Sequence, residues 1–330
     1  MSELIGTGIA SLYQLSGKGP EDETIYDVKN ASMFQIDKHK RHTPFVINNI
    51  HDTIELKQRK INKQKIKTEY GDLLSDIYIH INENRIKNVS LYINSNRIYY
   101  KDHIYFKAIK ETNNIDDFLK VKLFHKDNDR QFLPIGYMKK TEIFMNIELL
   151  DDINEPDEIV CDTYIDYVIL DIDEKLQYRY MKTKMIIDYI QLIDIYNIER
   201  DIQLIQLNLR HTITQLLILI VKDDEFKQIK DIDLTLNNIT IKTPSNEMYF
   251  RNIQQYLRNM TYFDGYVYTY SFALYPKSCQ LSGGINFSEI QGETELKVTS
   301  NDIIGAKVYV YATTINELNI HNDFSSIKYI

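Results

Sequence analysis

Tryptophan is absent from this sequence of 330 residues, and proline, glycine and cysteine are scarce. Two cysteines, Cys161 and Cys279, are too few for a disulfide framework or a cysteine-based zinc site, and they indicate a reducing compartment. The longest apolar run, Leu216–Val221, is too short to cross a bilayer. The first residues also lack the basic start and apolar segment of a signal peptide. We therefore expect a protein that is soluble and intracellular when it is made.

The sequence also has no excess of positive charge, and its net charge is −8. Residues 1–150 carry 23 Lys and Arg against 20 Asp and Glu, a net of +3, and residues 151–330 carry 16 against 27, a net of −11. Such a chain is a poor direct ligand for nucleic acid. One strongly basic run, KQRKINKQKIK at Lys57–Lys67, is typical of a solvated hairpin arm. A contact with an acidic neighbour or a membrane surface is the alternative for that run.

Alternating apolar and polar residues, the pattern of half-buried β-strands, recur from end to end. In TEIFMNIEL the four apolar side chains between Ile143 and Leu149 share one face, and DIYIHI, DIDLTLNNITIK and KVYVYAT alternate in the same way. Helical patterns are few, at Asp173–Met185 and Asn246–Met260. No helix separates each strand from the next, which argues against a parallel α/β sheet. We expect an all-β protein of antiparallel sandwiches with a few short helices.

The clearest boundary is the stretch DDINEPDEI, residues 151–159, which carries five carboxylates and one proline. Like charges extend such a segment, and its proline excludes a central strand there. We therefore predict an N-terminal segment at 1–24, a first eight-stranded jelly roll at 25–150, an acidic linker at 151–159, and a second eight-stranded jelly roll at 160–330.

The motifs that resemble reactive sites are each incomplete. DIDLT from Asp231 matches the D-x-D-x-T pattern of phosphoryl-transferring aspartate enzymes, but that reaction needs a buried parallel strand, and the preceding EFKQIK is polar. His39 and His42 have metal-ligand spacing without further ligands nearby, and DIDE from Asp171 lacks the glycine of a calcium loop. The glycines near residue 6 and at 17–19 form neither a dinucleotide nor a phosphate loop. We predict no catalytic residue, metal, cofactor or small-molecule substrate.

The most distinctive stretch is YVYTYSFALYPKSCQLSGGINFSEI, residues 266–290. Its first strand places bulky side chains at even positions and small side chains at odd positions. We expect the bulky face, with Phe272, to fill a core, and the small face, with Ser271, to meet another layer at a subunit contact. Gly283 and Gly284 allow a backbone turn that is closed to other residues.

This stretch resembles the C-terminal region of the major capsid proteins of nucleocytoplasmic large DNA viruses. The family pattern is approximately Y-x-Y-S-F-A-L-x-P, then Q-P-S-G, then N-F-S. It is matched here by Tyr268, Tyr270, Ser271, Phe272, Ala273, Leu274, Pro276, Gln280, Ser282, Gly283, Asn286, Phe287 and Ser288. Leu281 stands where the family usually has proline.

Other segments are similar to the same family in the same order: Lys38–Asn48, Leu133–Leu149, Asp162–Tyr180 and Asn246–Asn259. By this resemblance, Leu133–Leu149 closes the first jelly roll, and Asp162–Tyr180 forms the opening strand and short helix of the second.

The resemblance implies a double jelly roll, three copies of which form a pseudo-hexagonal capsomer in an icosahedral shell over an internal membrane. It implies assembly in the host cytoplasm and contacts with its own copies, with neighbouring capsomers, with minor capsid proteins and with that membrane. We expect the loop at 275–284 and the acidic linker to lie near subunit contacts. Three alternatives stay open: a minor capsid or scaffold paralogue, a non-viral β-sandwich binding module, and a hydrolase built on DIDLT.

Overall fold

A computed structural model of the chain describes residues 44–81, 85–110, 118–121, 132–138, 140–151, 156–180, 183–236, 239–240, 246–258, 265–276, 282–290, 292–299, 303–321 and 324–328. The predicted N-terminal segment 1–24, the pair His39 and His42, and the positions Cys279 and Gln280 lie outside these residues. The described chain consists mainly of strands in four antiparallel sheets, and the predicted all-β class is confirmed.

Two four-stranded sheets form a first sandwich. In spatial order, one sheet contains β1 (Phe45–Lys57), β8 (Glu158–Leu170), β3 (Leu73–His80) and β6 (Phe118–Val121). The other contains β2 (Asn62–Lys65), β7 (Ile143–Leu149), β4 (Ile86–Ile93) and β5 (Asn96–Asp102). The first strand therefore lies beside the eighth and the second beside the seventh, which is the strand order of an eight-stranded jelly roll.

The first core lies between these two sheets. The alternation in β7 predicted burial correctly, because Ile143, Met145, Ile147 and Leu149 are buried and the side chains between them are partly exposed. Ile77 and Ile79 of β3 face the same core from the opposite sheet. Burial of this apolar surface is the main favourable contribution to folding.

The strand β8 begins in the last two residues of the predicted linker at 151–159, and it belongs to the first sandwich. It pairs with β1 along its whole length, and its inward side chains Cys161, Ile165 and Tyr167 lie in the first core. The prediction that Asp162–Tyr180 supplies the opening strand of the second jelly roll is therefore wrong. The domain division at 151–159 stays a prediction, and the pairing of β8 favours a boundary that follows this strand.

A second sandwich repeats the strand order of the first. One sheet contains β10 (Ile202–Gln206), β17 (Glu295–Thr299), β13 (Asp231–Leu236) and β14 (Ile239–Thr240). The other contains β9 (Thr183–Asn197), β18 (Lys307–His321), β11 (Thr212–Lys222), and then β15 (Val267–Ser271) and β16 (Ile285–Asn286), both paired with β11. Two short strands, β12 (Glu225–Phe226) and β19 (Phe324–Ile327), extend this sheet. The strand β9 takes the place of a first strand, and β18 takes that of an eighth.

Three helices are described besides two short 3₁₀ turns, Ile135–Tyr137 and Phe287–Glu289. The helix α1 (His103–Lys110) follows β5, and α2 (Ile172–Tyr180) follows β8. The third, called α3 here, combines the π-helical Tyr249–Ile253 with the α-helical Gln254–Leu257. The helix α2 is shorter than predicted because β9 begins at Thr183. Both α1 and α3 lie between the fifth and sixth strands of their own sandwich, so they occupy the same place in the repeat.

The helix α1 joins the two sandwiches. Its Phe106 points into the first core, and its Tyr105 and Ala108 pack on the outward face of the second sandwich. Asp102, just before the helix, accepts hydrogen bonds from the backbone N–H of Tyr105 at 2.9 Å and from the hydroxyl of Tyr311 at 2.7 Å. The carboxylate thus caps α1 and holds a buried tyrosine of the other sandwich at the same time.

The long strands β9 and β18 make a second connection between the sandwiches. Val308 and Val310 of β18 lie in the second core, whereas Leu318 and Ile320 of the same strand lie in the first core cluster together with Ile187 of β9. Each sandwich therefore completes its apolar packing with side chains of the other.

Candidate assembly surface

The stretch at 266–290 contains β15, and both faces of this strand pack against other parts of the chain. On the bulky face, Tyr268 is completely buried, while Tyr270 and Phe272 are partly buried and pack against the second core. The Phe272 ring lies 5.1 Å from that of Tyr270 and 5.5 Å from that of Phe287, centroid to centroid, with edge contacts in both pairs. The predicted packing of Phe272 against a core is thus what the structure shows.

The small face of β15 is covered by the chain's own helices. Thr269 Oγ1 donates a hydrogen bond to the backbone oxygen of Phe250 in α3 at 3.2 Å, and Val267 packs in the cluster that contains Tyr105 of α1. Ser271 is buried, and its hydroxyl bonds to the backbone oxygen of Ala273 at 2.8 Å. The expectation that Ser271 contacts another subunit is therefore wrong, since the layer that approaches this face belongs to the same chain.

The hydroxyl of Tyr268 ties β15 to the segment before α3. It donates to Glu247 Oε2 at 3.1 Å and accepts from the backbone N–H of Ile229 at 3.0 Å. Burial, opposed by the bond from Ile229, raises the pKa of Tyr268 well above its ordinary value. The group therefore stays a neutral hydrogen-bonding tyrosine at any physiological pH, and its role is structural.

Most other residues of the matched pattern hold the returning loop in place. Gly283 has a φ of +137°, and a Cβ there would lie 2.9 Å from the backbone oxygen of Phe272. Ser282 Oγ accepts from the backbone N–H of Tyr275 at 2.8 Å. Asn286 Oδ1 accepts from the backbone N–H of Ser288 at 3.1 Å, which starts a short 3₁₀ turn. The pattern thus specifies a local conformation and not a reactive site.

Two apolar side chains of the stretch are left on the surface. Leu274 and Tyr275 follow β15 and are 55% and 61% exposed, whereas Pro276 beside them is partly buried. They are the exposed large apolar side chains among the described residues of this stretch. The expected subunit contact of the 275–284 loop stays a prediction, because residues 277–281 lie outside the described residues.

The basic run at 57–67 forms the turn between β1 and β2 together with β2. The predicted hairpin is wrong, because β1 and β2 belong to opposite sheets and do not pair with each other. Lys57 Nζ lies 2.5 Å from Glu158 Oε1, and Arg59 Nε lies 3.9 Å from Asp151 Oδ1. Lys65 Nζ lies 3.7 Å from Glu142 Oε1, so the acidic neighbours of the run belong to the same chain, in the predicted linker and just before β7. These pairs are exposed, so each contributes little to stability.

The structure supports none of the catalytic alternatives. Asp231 and Asp233 lie on the antiparallel strand β13, and Asp233 Oδ2 is ion-paired with Lys297 Nζ at 3.1 Å. A nucleophilic aspartate of the D-x-D-x-T type needs the end of a buried parallel strand, which β13 does not provide. Burial raises the pKa of Cys161 to about 12, so this thiol is not activated as a nucleophile. Within the described ranges, no group of three or more His, Cys, Asp and Glu side chains could hold a metal ion.

A row of rings crosses the outward face of the first sandwich. The ring centroids of His51 and Tyr164 are 4.9 Å apart, those of Tyr164 and Phe118 are 6.2 Å apart, and those of Phe118 and His80 are 4.6 Å apart. These four residues, called the aromatic row below, come from β1, β8, β6 and β3. Sequence reasoning missed the row because its members are far apart in the chain, and each is an ordinary outward residue of its own strand.

One carboxylate accompanies the aromatic row. Asp162 Oδ1 lies 2.9 Å from His51 Nε2 and accepts from Thr53 Oγ1 at 3.0 Å. The hydrogen bond from His51, followed by that from Thr53, holds the pKa of Asp162 below its ordinary value. A cavity of about 310 Å³ lies beside it, lined by His80, Arg85, Val160 and Asp162 among others. The outward face of the first sandwich is thus both aromatic and polar.

Comparison with known proteins points to viral capsids. No protein-family model matches the chain. The major capsid protein of Chrysochromulina ericina virus is 40% identical over 85 residues, which cover 24% of this chain and 15% of that protein. The major capsid protein of Phaeocystis pouchetii virus is 38% identical over 85 residues, which cover 24% and 16%. The match therefore spans about one-sixth of the length of these relatives.

Solved structures extend the likeness to almost the whole chain. VP54 of PBCV-1, fitted into a reconstruction of the virophage Sputnik, superposes with a TM-score of 0.76 at 17% identity and covers 91% of this chain and 100% of that one. The chain has the double jelly-roll fold. The Faustovirus major capsid protein shares this double jelly roll at a TM-score of 0.63 and 8% identity, and covers 94% and 97%. The resemblance to major capsid proteins of large DNA viruses, predicted from the stretch at 266–290, is confirmed.

No helix within the described ranges is long and apolar enough to cross a membrane.

Proposed function

We propose that this chain is the structural subunit of a viral shell, and that three copies form one capsomer of an icosahedral capsid. The observation that carries the proposal is the internal repeat: two eight-stranded jelly rolls of the same strand order lie side by side in one chain. The sequence match to two viral major capsid proteins supports the same function.

The repeat explains why three copies suit a shell. Three chains contribute six similar sandwiches, and six similar bodies around a threefold axis have a nearly hexagonal outline. Hexagonal units tile a surface without gaps, and closed rings of head-to-tail contacts are a common form of oligomer. A ring of this kind needs the two sandwiches of each chain to keep one relative position. The α1 contact and the shared strands β9 and β18 provide that constraint.

The charge of the chain suits a shell subunit that does not touch the genome. A net of −8 opposes direct contact with nucleic acid phosphates. We therefore propose that its partners are its own copies, neighbouring capsomers, minor capsid proteins and an internal membrane. Its place is the virion capsid, assembled in the host cytoplasm. In this function no residue is catalytic, and the work of the protein is assembly.

The mass of the purified protein in solution tests this proposal. Light scattering after gel filtration should give about three times the chain mass of 39.1 kDa. A species of one chain mass throughout the micromolar range would contradict the capsomer.

A further inference from the structure

Each sandwich has one sheet whose outward face is strongly charged. In the first sandwich this sheet contains β2, β7, β4 and β5, and in the second it contains β10, β17, β13 and β14. The two sheets occupy the same place in the repeat, because each consists of the second, seventh, fourth and fifth strands of its jelly roll. The charges on their outward faces, however, have opposite signs.

The outward face of the first of these sheets begins with two lysines of β2. Gln64 points inward, because it is buried and its Nε2 donates a hydrogen bond to Thr163 Oγ1 of the opposite sheet at 2.8 Å. Its neighbours Lys63 and Lys65 therefore point outward, and both are exposed. Lys65 lies opposite Phe144 of β7, so the charged edge of the sheet adjoins an aromatic ring.

Stacked rings continue this face as far as an arginine. Phe144 lies opposite Tyr92 of β4 with the ring centroids 5.1 Å apart, and Tyr92 lies opposite Arg97 of β5. Lys63 Nζ lies 3.6 Å from the centroid of the Phe144 ring, and Arg97 Cζ lies 4.6 Å from that of Tyr100. Among the described residues, neither Lys63 nor Arg97 has a partner in an ion pair. The basic face, as it is called below, consists of Lys63, Lys65, Tyr92, Arg97, Tyr100 and Phe144.

The equivalent face of the second sandwich carries carboxylates. Asp231 and Asp233 of β13 point outward, because the apolar residues that alternate with them are buried. Lys297 of β17 lies opposite Asp233 and is ion-paired with it at 3.1 Å, while Glu295 points to the same side two residues earlier. Asp231 and Glu295 form no ion pair within the described ranges. Three carboxylates thus face outward against one ammonium group.

Two exposed aliphatic side chains border these carboxylates. Ile202 and Leu204 of β10 are 54% and 57% exposed, and they lie opposite Thr299 and Lys297 of β17. Exposed apolar surface rimmed by polar groups is typical of a contact site. The acidic face, as it is called below, consists of Ile202, Leu204, Asp231, Asp233, Glu295 and Lys297.

We infer that the basic face of one capsomer docks on the acidic face of the neighbouring capsomer. The partner is thus a second copy of this chain that belongs to another trimer. Opposite charges across a contact favour the correct pairing, and like charges oppose the wrong one. The inference rests on the proposed trimeric capsomer and names the surfaces by which capsomers join.

The polarity of the two faces suits a contact between capsomers better than one within a capsomer. Permanent subunit interfaces are more hydrophobic than reversible ones, and charged residues are depleted from the centre of an interface. Both faces carry charged groups between their apolar side chains. They therefore match the weaker contact that forms between trimers that have already closed.

Three copies also supply these faces in a suitable number and order. Each capsomer has three basic and three acidic faces, and they alternate around the rim because the two kinds of sandwich alternate. Opposite sides of a hexagon are three steps apart, so a basic side always lies across from an acidic side. Neighbours in the same orientation therefore meet basic side to acidic side at all six contacts. A neighbour rotated by one side would meet like charge with like charge.

The salt dependence of trimer association gives the first test. Light scattering of the unaltered protein at about 0.1 M salt should show species larger than three chain masses. At about 1 M salt the mass should return to three chains, because the Debye length falls from about 10 Å to about 3 Å. Trimers that do not associate at the lower salt concentration would overturn the inference.

Two charge-reversal variants test the two faces separately. The basic-face variant carries Lys63→Glu and Arg97→Glu, and the acidic-face variant carries Asp231→Lys and Glu295→Lys. All four side chains lie outside the cores and outside the described ion pairs, so both variants should fold into trimers with unchanged far-UV circular dichroism. Neither variant alone should associate further, because all six sides of its capsomer then carry charge of one sign.

Mixing the two variants gives the most specific outcome. The acidic sides of one variant then meet the basic sides of the other, so an equal mixture at about 0.1 M salt should associate beyond three chain masses. A mixture that stays at three chain masses would contradict the pairing of the two faces.

The control variant is Arg210→Glu. It makes the same substitution as Arg97→Glu at an exposed arginine in the loop between β10 and β11, outside both faces. This variant should associate as the unaltered protein does. If it loses association as completely as the basic-face variant, the effect belongs to net charge and the inference is wrong.

The inference and the proposed function fail in different ways. If the unaltered protein is not trimeric at high salt, the proposed function fails. If it is trimeric and the folded reversal variants associate as it does, the capsomer stands and the docking of the two faces is wrong. Binding of trimers to vesicles of anionic phospholipid, lost in the basic-face variant and without association of trimers, would assign the basic face to a membrane and also overturn the inference.

Discussion

Gly283 is the residue that sets the path of the loop after β15. Its φ of +137° lies in a region that side chains strongly disfavour, and the backbone oxygen of Phe272 occupies the space where a Cβ would point. Gly305 provides a contrast, with a φ of +86° and no atom within 4 Å of a Cβ. Gly283 is thus required by its positive φ and by the close backbone oxygen, whereas Gly305 is required by its positive φ alone.

This contrast predicts different costs for alanine at the two positions. Gly305→Ala should lower the free energy of unfolding by about 1 kcal/mol, the usual cost of forcing positive φ on an alanine. Gly283→Ala should cost clearly more, about 2–4 kcal/mol, because strain and a collision with the backbone add. Urea unfolding followed by circular dichroism measures both. Equal costs for the two variants would show that the close approach to Phe272 is not tight.

Single residues also show where sequence reasoning stops. Alternation correctly predicted that Phe272 packs against a core and that Val310 is buried. The same alternation treated Ser271 as a residue for a subunit contact, yet it is buried. A period of two reveals which side chains share a face, but it does not reveal what covers that face. Here Val267 of that face packs with α1 and Thr269 donates a hydrogen bond to α3, and these tertiary contacts leave no local pattern in the sequence.

At the scale of elements, the contact of α1 with the second sandwich depends on Asp102. Burial raises the pKa of this carboxyl above its ordinary value, although the bonds from Tyr105 and Tyr311 lower it. The folded protein therefore binds this proton more tightly than the unfolded chain does. The contribution of the Asp102 carboxyl to the free energy of unfolding is fully present below the pKa of the unfolded chain, near 3.8. It is lost as pH rises through the higher pKa of the folded protein.

Two substitutions of Asp102 should therefore differ. Asp102→Ala removes the helix cap and leaves the buried hydroxyl of Tyr311 without its acceptor, so it should cost about 2–4 kcal/mol. Asp102→Asn keeps an acceptor and a capping side chain without the charge. Relative to the unaltered protein, this variant should gain stability as pH rises from about 4 to 7. Urea unfolding across that range, with the exposed Asp201→Asn as control, checks the sign. A relative loss with rising pH would contradict the account.

The sequence predicted the positions of several strands but not how all of them pair. The patterns placed β3, β7, β13 and β18 correctly, because each alternates clearly within a few residues. They did not reveal that β8 pairs with β1, since the two strands are separated by about 100 residues and hydrogen bonding between them leaves no local pattern. The resemblance to capsid proteins predicted the two jelly rolls, but it assigned β8 to the second of them, whereas β8 pairs with β1 in the first.

At the scale of the whole molecule, the central claim is that a rigid pair of jelly rolls builds a threefold capsomer. The sandwiches are joined by the packing of α1 on the second and by side chains of β9 and β18 that lie in the first core. Among the described residues, Phe118 of the aromatic row and Tyr256 of α3 are exposed. The amino-acid composition did not predict the assembly. It indicated only an acidic chain that is a poor ligand for nucleic acid.

Negative-stain electron microscopy of the purified protein tests this claim most directly. Averaged images should show particles with three-fold symmetry and a hexagonal outline, in which six similar densities correspond to two sandwiches from each of three chains. Images of single two-lobed particles, at concentrations where light scattering is also measured, would contradict the account.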